Sequence, residues 1–477
     1  MANFNIQNNV SFSVGQGDEV DFYTVLKLAR EKILEENPEF FSELGETNDK
    51  NGVIEDKLKR EKVYNLIRHF VNNQNFKVKN VESNELLTKK LFQEFVDYSI
   101  LTDYINDENH EIEEINVNAW DDVEVRYSNG EVKKVEHFCN PEHAESVVKR
   151  LSIAVDSKMD DSVPMGEGSL SSNVRVVTLI SPILDYGTGG VSSIRLLKPN
   201  MVNRDFFIKN GTITDKELRF LELAIKSGVS IVFVGETGCG KTTLMNYLLG
   251  TVPNHKRVVT IEHNARELSL IKTDENGKKI NNVVHTQTMQ HSNDALTVTQ
   301  EDLLVKALRL DPNIICVGEM RDAEAYAAQE ASLTGHPVVT SLHADGVQAT
   351  HFRIAMLALK RYSVDVNIAL LQAQMAFPIV VYLSKLEDNT RRVMEISECC
   401  VVRDGTDIIS DYTTLFEYEI IDNKKVNGKY QIEGVHRSDG KLSNDMIKRM
   451  MRNGATFDEL EQFGYKVNKK SDIKGVI

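Results

Sequence analysis

Residues 230–243 read Ser230-Ile231-Val232-Phe233-Val234-Gly235-Glu236-Thr237-Gly238-Cys239-Gly240-Lys241-Thr242-Thr243, an apolar run that breaks into glycines and ends in one lysine and two threonines. The part from Gly235 to Thr242 fits the pattern G-x-x-x-x-G-K-[ST] of a loop that wraps phosphate groups with its backbone N–H groups. In such a loop Lys241 contacts the β- and γ-phosphates and the Thr242 hydroxyl holds Mg²⁺. The run predicts a strand before the loop and a helix over 241–249 after it, whose positive N-terminal end faces the anion. We therefore expect Gly235 through Thr243 to bind a nucleotide, the alternative being an ordinary glycine turn.

Composition and charge restrict the class of protein. The chain has 477 residues, of which 41% are hydrophobic, and this length predicts about three domains. The formal net charge of -15 disfavours attraction to nucleic-acid phosphates, so no direct nucleic-acid partner is expected. The five cysteines show neither a paired nor a metal-binding spacing, which suits a reducing cytoplasm. With no signal-like N-terminus and no apolar run of the ~18 residues that span a membrane, any membrane association is expected to be peripheral.

The first part of the chain predicts helices followed by a mixed domain. Apolar residues at helical spacing predict helices at about 21–36 and 54–74, within a helical N-terminal extension assigned to residues 1–92. A further helix from about residue 84 leads to predicted strands at 112–118, 123–127 and 131–138, the last two joined by a turn at Asn129-Gly130. A helix capped by Asn140, with Pro141 at its first position, and strands at 174–181 and 191–197 complete an α+β domain at 93–198.

Two arginines lie inside the last two of these strands. On spacing alone, Arg175 and Arg195 are expected on a solvated strand face. The alternative is that they extend toward phosphate.

The second part of the chain predicts an α/β domain. Residues 199–210 contain Pro199 and are predicted to be a linker, and a helix that opens with Thr214 and Glu217 begins the next domain, 211–385. Short apolar runs at 229–234, 257–262, 313–318, 337–342 and 378–384 alternate with helical patterns, which indicates a mostly parallel sheet with helices on both faces. The predicted fold class is therefore an α/β RecA-like P-loop domain, preceded by the α+β N-terminal domain and the helical extension. Residues 386–477 are assigned to a C-terminal α+β region.

An acidic residue is expected at a strand end near the phosphate loop, where it positions Mg²⁺ and the attacking water. Residues 313–321 read NIICVGEMR, a buried-looking strand that ends in Gly318-Glu319. Glu319 is therefore predicted at the carboxyl edge of the sheet, where nucleotides bind in open α/β folds. The alternative is that Glu319 is an acid in the N-cap region of the helix that begins at Asp322. Arg321 is the cation nearest to Glu319 in sequence and is therefore a candidate catalytic residue. The alternative is that Arg321 forms a surface ion pair with Asp322 or Glu324.

Two further strand ends carry candidates. Glu262, nearest to the end of the strand at 257–262, is the candidate general base or water-orienting residue, with Glu267 as the second choice. His343 ends the strand at 337–342 and is a candidate for sensing the γ-phosphate or an acid of a neighbour. A lone histidine is more often structural, which is the alternative at this position.

These segments, in order, carry a resemblance to a known family. They are the loop Thr237 to Thr243, the strand-end Glu262, Gly318-Glu319-Met320-Arg321-Asp322, and Thr334-Gly335-His336 with Ser341-Leu342-His343-Ala344. In this order and at these intervals they resemble the Walker A, Asp box, Walker B and His box of the secretion ATPases, the motors of type II and type IV secretion systems and of type IV pili. The CpaF-like branch, which drives tight-adherence (Tad) pili, is similar also at 112–127, 160–165 and 211–214. The resemblance covers about residues 93–420.

The resemblance implies a Mg²⁺-dependent ATPase. It implies catalytic roles for Glu319 and His343, with Thr242 and Glu319 at the metal. It also implies that Arg175 and Arg195 reach the nucleotide phosphates from the N-terminal domain, as an arginine finger does. The family usually places aspartate where His263 stands and spaces its glutamates more closely than Glu262 and Glu267, so the base is left open between these two.

The resemblance further implies an assembly and a task. A homo-oligomer, a hexameric ring, is expected at the cytoplasmic face of the membrane as a peripheral protein. Closure and rotation of its domains during ATP hydrolysis would act on an inner-membrane platform protein and drive pilus assembly or secretion. Two rivals stay open: a conjugative DNA-transfer ATPase, which uses the same boxes, and an ATP-gated docking subunit with little turnover, which the altered Asp box suggests.

Overall fold

The computed structural model of the chain describes residues 19–40, 56–74, 76–107, 109, 111–155, 157, 159–171, 174–196, 202–263, 266–289, 296–404 and 407–463. Among these residues, no helix is long and apolar enough to cross a lipid bilayer. The chain divides into two compact units, Met1–Lys198 and Pro199–Ile477. Each unit has its own sheet and its own buried core.

The first unit begins with a layer of helices. Helices α1 (Phe22–Glu36), α2 (Lys57–Gln74) and α3 (Asn84–Val96) pack their apolar faces together, and the short strands β1 (Glu19–Val20) and β2 (Lys77–Val78) pair in parallel. Asp21 accepts a hydrogen bond from the Thr24 N–H (3.0 Å) and Ser83 accepts one from the Leu86 N–H (3.1 Å). Side-chain caps therefore define where α1 and α3 begin. All three helices agree with the predicted ones to within a few residues.

An antiparallel sheet follows. In the described part of residues 111–196 it has six strands in the order β5-β4-β3-β8-β7-β6. The strands are β3 (Ile112–Ala119), β4 (Asp122–Tyr127), β5 (Val132–Lys134), β6 (Met165–Ser171), β7 (Val174–Leu179) and β8 (Val191–Leu196). A 3-10 turn (Ser99–Leu101), α4 (Thr102–Ile105) and α5 (Pro141–Ala154) pack on one face. As predicted, Asn140 caps α5, accepting from the His143 N–H (2.8 Å), whereas β5 is shorter than expected and β6 is not among the predicted strands.

A buried cluster of charged and polar groups joins the helical layer to the sheet domain. Glu94 on α3 accepts hydrogen bonds from Ser99 Oγ and from His143 Nε2 on α5 (2.9 Å), and Arg150 Nη1 donates to the Glu94 carbonyl oxygen (2.6 Å). Burial alone would raise the pKa of Glu94, but the hydrogen bond and charge of His143, with smaller contributions from Ser99 and Arg150, lower it below its ordinary value. Helix α3 therefore belongs to both layers. The domain boundary predicted between residues 92 and 93 falls inside this shared helix.

A mixed sheet forms the centre of the second unit. Within the described part of residues 202–463, its nine strands lie in the order β11-β10-β12-β13-β9-β14-β15-β16-β17, the first six parallel and the last three antiparallel. They are β9 (Ile231–Val234), β10 (Val258–Glu262), β11 (Val283–Gln287), β12 (Ile314–Val317), β13 (Val338–Leu342), β14 (Ile379–Lys385), β15 (Arg391–Asp404), β16 (Asp407–Val426) and β17 (Lys429–Arg437). The six parallel strands include all five predicted ones, and β11 is the addition.

Helices cover both faces of this sheet. Helices α6 (Arg204–Lys209), α7 (Asp215–Lys226), α8 (Lys241–Gly250), α13 (Asn444–Arg452) and α14 (Phe457–Glu461) pack on one face. Helices α9 (Gln300–Ala307), α10 (Glu324–Leu333), α11 (Val347–Leu359) and α12 (Val366–Ala376) pack on the other. In β9, Ile231 and Phe233 enter the first core while Val232 and Val234 enter the second. Both faces of the central strand are therefore buried, which explains its uninterrupted apolar sequence.

Two predicted boundaries in the second unit differ from the structure. The predicted linker 199–210 contains α6, whose Phe207 is buried in the core and whose Arg204 pairs with Asp215 (2.5 Å) and Glu222 (2.7 Å); residues 197–201 lie outside the described residues. The predicted C-terminal region 386–477 is not a separate layer, because β15 pairs with β14 and α13 packs in the same core as α7. A six-residue helix and antiparallel strands that continue a parallel sheet carry too little local sequence signal to be recognised.

Candidate active site

The sheet brings the predicted segments to one edge. Strands β10, β12, β13 and β9 are neighbours in that order and run parallel. Their carboxyl ends lead to Glu262, Glu319, His343 and the phosphate loop that begins at Gly235. Ligands of open α/β sheets bind at this edge. Residues that are 24 to 108 positions apart in sequence thereby become neighbours.

The phosphate loop, residues 235–240, connects β9 to α8. Gly235, Gly238 and Gly240 have φ values of 141°, 78° and 100°, a region that side chains disfavour. A Cβ atom on Gly235 would lie 2.0 Å from the Leu383 carbonyl oxygen, so only glycine fits there. Gly240 is the N-cap of α8, and as a glycine it brings no side chain to the first N–H groups of the helix. These N–H groups therefore point toward the place where an anion would bind.

Lys241 turns back over this loop. Its Nζ donates to the carbonyl oxygens of Gly235 (2.7 Å) and Glu236 (2.8 Å) and lies 3.5 Å from His343 Nδ1. The residue is only 7% exposed. Because a charge that is shielded from water acts more strongly on its neighbours, this ammonium group is well placed to attract phosphate.

The remaining loop residues divide between surface and core. Thr237 and Gly238 are exposed, and so is Thr243 in the first turn of α8. Cys239 is buried, and this burial raises the pKa of its thiol. Cys239 therefore acts as a small apolar side chain beneath the loop rather than as a nucleophile.

Glu319 lies between an arginine and a histidine. Arg321 Nη2 is 2.7 Å from Oε2, and His343 Nε2 is 3.2 Å from Oε1. Burial alone would raise the pKa of Glu319, but the hydrogen bond and charge of Arg321, with the charges of His343 and Lys241, lower it below its ordinary value. The alternative role at the start of α10 belongs to Glu324, which accepts from the Arg321 N–H (2.5 Å). Glu319 is thus an ionised carboxylate, and His343 connects it to the phosphate loop.

Glu262, at the end of β10, holds the loop that follows it. Its Oε2 accepts hydrogen bonds from the N–H groups of Glu267 (2.6 Å) and Leu268 (2.8 Å), and the residue is 3% exposed. A Cβ atom on Gly318 would lie 3.4 Å from Glu262 Cγ, so Glu262 packs beside the residue that precedes Glu319. Glu267 is half-buried in the same loop. The choice of base between Glu262 and Glu267 stays a prediction.

The predicted Mg²⁺ ligands are the Thr242 hydroxyl and the Glu319 carboxylate. Thr242 is half-buried in the first turn of α8. Both residues offer oxygen, the donor atom that Mg²⁺ prefers, and Mg²⁺ commonly takes one or two protein ligands and completes its shell with substrate phosphates and water. In the ranges that the structure describes, no group of three or more His, Cys, Asp or Glu could hold a metal by itself. The residues present fit a Mg²⁺ ion that binds together with a nucleotide.

Arg175 and Arg195 lie in the sheet of the first unit. They are directly opposite each other on β7 and β8, on the face that points away from the core. Arg175 pairs with Glu167 (3.1 Å), and Glu114 on β3 lies opposite Arg195. Because like charges opposite each other repel, these acids offset part of the cost of the arginine pair. Arg195 is exposed, and its approach to a nucleotide stays a prediction.

The hairpin between β14 and β15 contributes contacts that sequence reasoning missed. Glu236 Oε1 accepts from the Lys385 N–H (3.0 Å), and Arg391 Nε donates to the Gly238 carbonyl oxygen (2.9 Å). The contacting residues are 149 and 153 positions apart in sequence. The available signal was the paired Arg391-Arg392 at the start of a strand, which has meaning only once β15 is known to lie next to β14 and β9.

His285 on β11 is a second residue that sequence reasoning missed. Its Nδ1 lies 2.7 Å from Thr260 Oγ1 and 3.5 Å from Glu262 Oε1, and its side chain is 7% exposed. The Thr260 hydroxyl donates to Glu262 Oε1 (3.2 Å), so His285 Nδ1 donates in turn to that hydroxyl. The chain of hydrogen bonds fixes the orientation of Glu262 from the edge strand.

Comparison with known proteins identifies relatives of this chain. Residues 112–459 match the model of the family described as "Type II/IV secretion system protein". Conjugal transfer protein TrbB of Rhizobium radiobacter is 32% identical over 222 residues, which are 46% of this chain and 62% of that relative. Type IV secretion system protein PtlH of Bordetella pertussis is 37% identical over 142 residues, which are 30% of this chain and 38% of that relative. The chain thus spans less than two thirds of the length of these curated relatives.

A solved structure is also similar. It is the VirB11 ATPase from the Brucella suis type IV secretion system in complex with sulphate, at 24% identity, 61% coverage of this chain, 90% coverage of that chain and a TM-score of 0.32. The family match includes the phosphate loop and the strand ends that carry Glu262, Glu319 and His343, and it confirms the predicted resemblance to the secretion superfamily. The chain belongs to the type II/IV secretion system protein family.

Proposed function

We propose that this chain hydrolyses ATP in the presence of Mg²⁺ and that the reaction powers secretion, conjugal transfer or pilus assembly. The observation that carries the proposal is the contact path from Lys241 through His343 to Glu319. The three side chains follow three neighbouring parallel strands and meet beside a glycine loop at a helix N-terminus. Membership of the type II/IV secretion system protein family supports the link to transport.

The residues of the loop would bind the phosphates. Lys241 would exchange its loop carbonyls for the β- and γ-phosphates, while the N–H groups at the start of α8 donate to the phosphate oxygens. Thr242 and Glu319 would hold Mg²⁺, which supplies neutralisation of the charge that develops during phosphoryl transfer. Carboxylate, hydroxyl and ammonium groups thus divide the work of binding and charge compensation.

His343 is placed to couple these groups. Its Nδ1 lies 3.1 Å from the Gly235 carbonyl oxygen, which Lys241 also contacts, and its Nε2 lies 3.2 Å from Glu319. A movement of Lys241 toward phosphate would therefore change the contacts of His343, and the imidazole ring would pass this change on to Glu319. On this basis His343 senses the γ-phosphate, and Arg321 holds Glu319 until the nucleotide arrives. Glu262 or Glu267 orients the attacking water.

The wider role rests on the family. We assign the chain to a hexameric ring that is cytoplasmic, peripheral at the membrane and coupled to an inner-membrane platform protein. The Tad pilus, served by the CpaF-like branch, is the first candidate because of the similarity at 112–127, 160–165 and 211–214. Arg175 and Arg195 would reach the nucleotide from the first unit of the chain. Direct binding of nucleic acid is not expected at a net charge of -15.

The test is steady-state phosphate release from ATP by the purified full-length chain, with Mg²⁺ and with excess EDTA. Release that requires Mg²⁺ supports the proposal. Binding of ATP without measurable release would instead identify an ATP-gated docking subunit, the alternative that His263 in the altered Asp box suggests.

A conjugative DNA-transfer motor is the second candidate. The 32% identity to the conjugal transfer protein TrbB favours it. The two systems share the same nucleotide chemistry, so the genes that neighbour this one distinguish them. Neighbouring genes for pilin and prepilin processing support the pilus, and genes for a DNA relaxase support conjugation.

A further inference from the structure

We propose that Arg391, the first residue of β15, is a further nucleotide-binding residue that contacts phosphate groups at the phosphate loop. The inference rests on the proposed binding of a nucleotide at this loop. It adds a cation from a strand that lies outside all four motifs.

The hairpin that carries Arg391 is joined to the loop at two points. Glu236 Oε1 accepts from the Lys385 N–H (3.0 Å) at one end of the hairpin, and Arg391 Nε donates to the Gly238 carbonyl oxygen (2.9 Å) at the other. Arg391 Cδ lies 3.6 Å from the position that a Cβ atom on Gly240 would occupy. Because Gly238 and Gly240 have no side chains, the arginine lies directly against the backbone of the loop. Its guanidinium group is therefore held beside the phosphate loop.

Comparison with the next residue shows that Arg391 has hydrogen-bonding capacity to offer. Arg392 donates from Nη1 to the carbonyl oxygens of Asn210 (2.8 Å) and Arg391 (3.0 Å), and its guanidinium lies 5.6 Å from the ring centre of Tyr418. Within the part of the chain that the structure describes, Arg391 donates a hydrogen bond from Nε, and its side chain is partly exposed. Nη1 and Nη2 of Arg391 thus present a planar fork, the geometry that suits a pair of phosphate oxygens.

The charges at the loop favour this assignment. Lys241 is the cation of the loop itself, whereas Arg321 is already paired with Glu319 (2.7 Å). The carboxylate of Glu236 follows the first glycine, so an incoming nucleotide meets negative as well as positive groups. A guanidinium group beside Gly238 would offset the repulsion between Glu236 and the nucleotide phosphates. Salt would screen this attraction only in part, because the charges are close together.

The experiment compares three variants of the full-length chain: Arg391→Gln, Arg391→Lys and Arg392→Lys. Glutamine keeps a donor for the Gly238 carbonyl oxygen and removes the charge, lysine keeps the charge and loses the fork, and Arg392→Lys is the neighbouring control. Affinities for ADP and ATP are measured with fluorescent nucleotide analogues at several salt concentrations, after thermal melting has confirmed folding. We expect Arg391→Gln to weaken binding of both nucleotides about 10- to 100-fold, the usual range for one charge-assisted hydrogen bond. Arg391→Lys should fall between this variant and the wild type, and Arg392→Lys should bind normally.

The salt dependence separates phosphate binding from mere support of the loop. If Arg391 contacts phosphate, the affinity of Arg391→Gln should fall less steeply with salt than that of the wild type, because one charge contact is gone. Normal affinity in Arg391→Gln, or weaker affinity with an unchanged salt dependence, would overturn the inference. Lys241→Ala in the same assay separates the two proposals. If Lys241→Ala loses binding while Arg391→Gln does not, this inference alone fails; if neither loses binding, the proposed function fails as well.

Discussion

The chemistry proposed for this chain depends on the charge of a single carboxylate. Glu319 is held by Arg321 (2.7 Å) and His343 (3.2 Å), and these partners keep it ionised. An ionised carboxylate can hold Mg²⁺ or order a water molecule, whereas an amide of the same shape cannot accept as strongly. Charge, and not shape, is therefore what the position requires.

Glu319→Gln should retain ATP binding and lose most turnover. We expect kcat to fall about 10²–10⁴-fold, the usual contribution of a side chain that assists proton transfer. Asp322→Asn is the matched control, because Asp322 is exposed and pairs with Lys360 (3.1 Å). Turnover in Glu319→Gln within a few-fold of the wild type would show that the essential acid lies elsewhere, and Glu262→Gln would become the decisive variant.

The acid limb of the pH profile of kcat/KM should depend on Arg321. The pKa of Glu319 is lowered chiefly by Arg321, so its ionised form is present above this lowered pKa and is lost as the pH falls through it. Arg321→Gln removes that effect, and the acid limb of kcat/KM should move to higher pH. The comparison uses kcat/KM between pH 4 and 8, with Arg353→Gln on α11 as a surface control. An acid limb that does not move, or moves downward, contradicts the role of Arg321.

At the scale of elements, the site depends on how closely the phosphate loop approaches the neighbouring strand β14. The loop passes so near to the Leu383 carbonyl oxygen that Gly235 has no space for a side chain. Gly235→Ala would force the loop away from β14 and away from Lys241. We expect loss of nucleotide binding together with a lower Tm. Gly250→Ala, at the end of α8 with open space around it, is the control and should leave Tm unchanged or raise it. Normal binding by Gly235→Ala would show that the tight approach is not required.

The pairing and packing of elements explain what could and could not be predicted from the sequence. The parallel strands were recognised because strands buried on both faces are continuous apolar runs, and the rule that their carboxyl ends meet at one edge grouped Glu319, His343 and the loop. Arg391 and His285 were missed because their roles arise from strand pairing across long stretches of sequence. The fit of α6 into the core was missed because six residues show hardly two turns of periodicity.

At the scale of the whole molecule, the proposal gives two arginines of the first unit a part in ATP hydrolysis. Arg175 and Arg195 lie opposite each other on the face of the first unit's sheet that points away from the core, and Glu167 and Glu114 offset only part of their mutual repulsion. We expect Arg→Ala variants at either position to lower ATP turnover by about 10³-fold or more, as for other arginine fingers. Substitution by lysine should not rescue turnover, because the planar fork becomes a point charge.

Lys134→Ala is the control for this prediction, since Lys134 lies on the edge strand β5 and pairs with Asp122 (2.9 Å). Phosphate release and thermal melting are measured for all variants. Turnover at the wild-type level in every Arg175 and Arg195 variant would exclude the first unit from the active site, and closure between the units would lose its main support as the driving motion.

The most direct test of the account is phosphate release and nucleotide binding by Lys241→Ala beside Lys256→Ala. Lys241 contacts the carbonyl oxygens of the phosphate loop, whereas Lys256 donates to the Lys226 carbonyl oxygen at the end of α7. The account predicts that Lys241→Ala loses nucleotide binding or hydrolysis while its fold is kept, and that Lys256→Ala hydrolyses ATP at close to the wild-type rate. Near-normal hydrolysis by Lys241→Ala would contradict the assignment of the phosphate loop and, with it, the proposed ATPase.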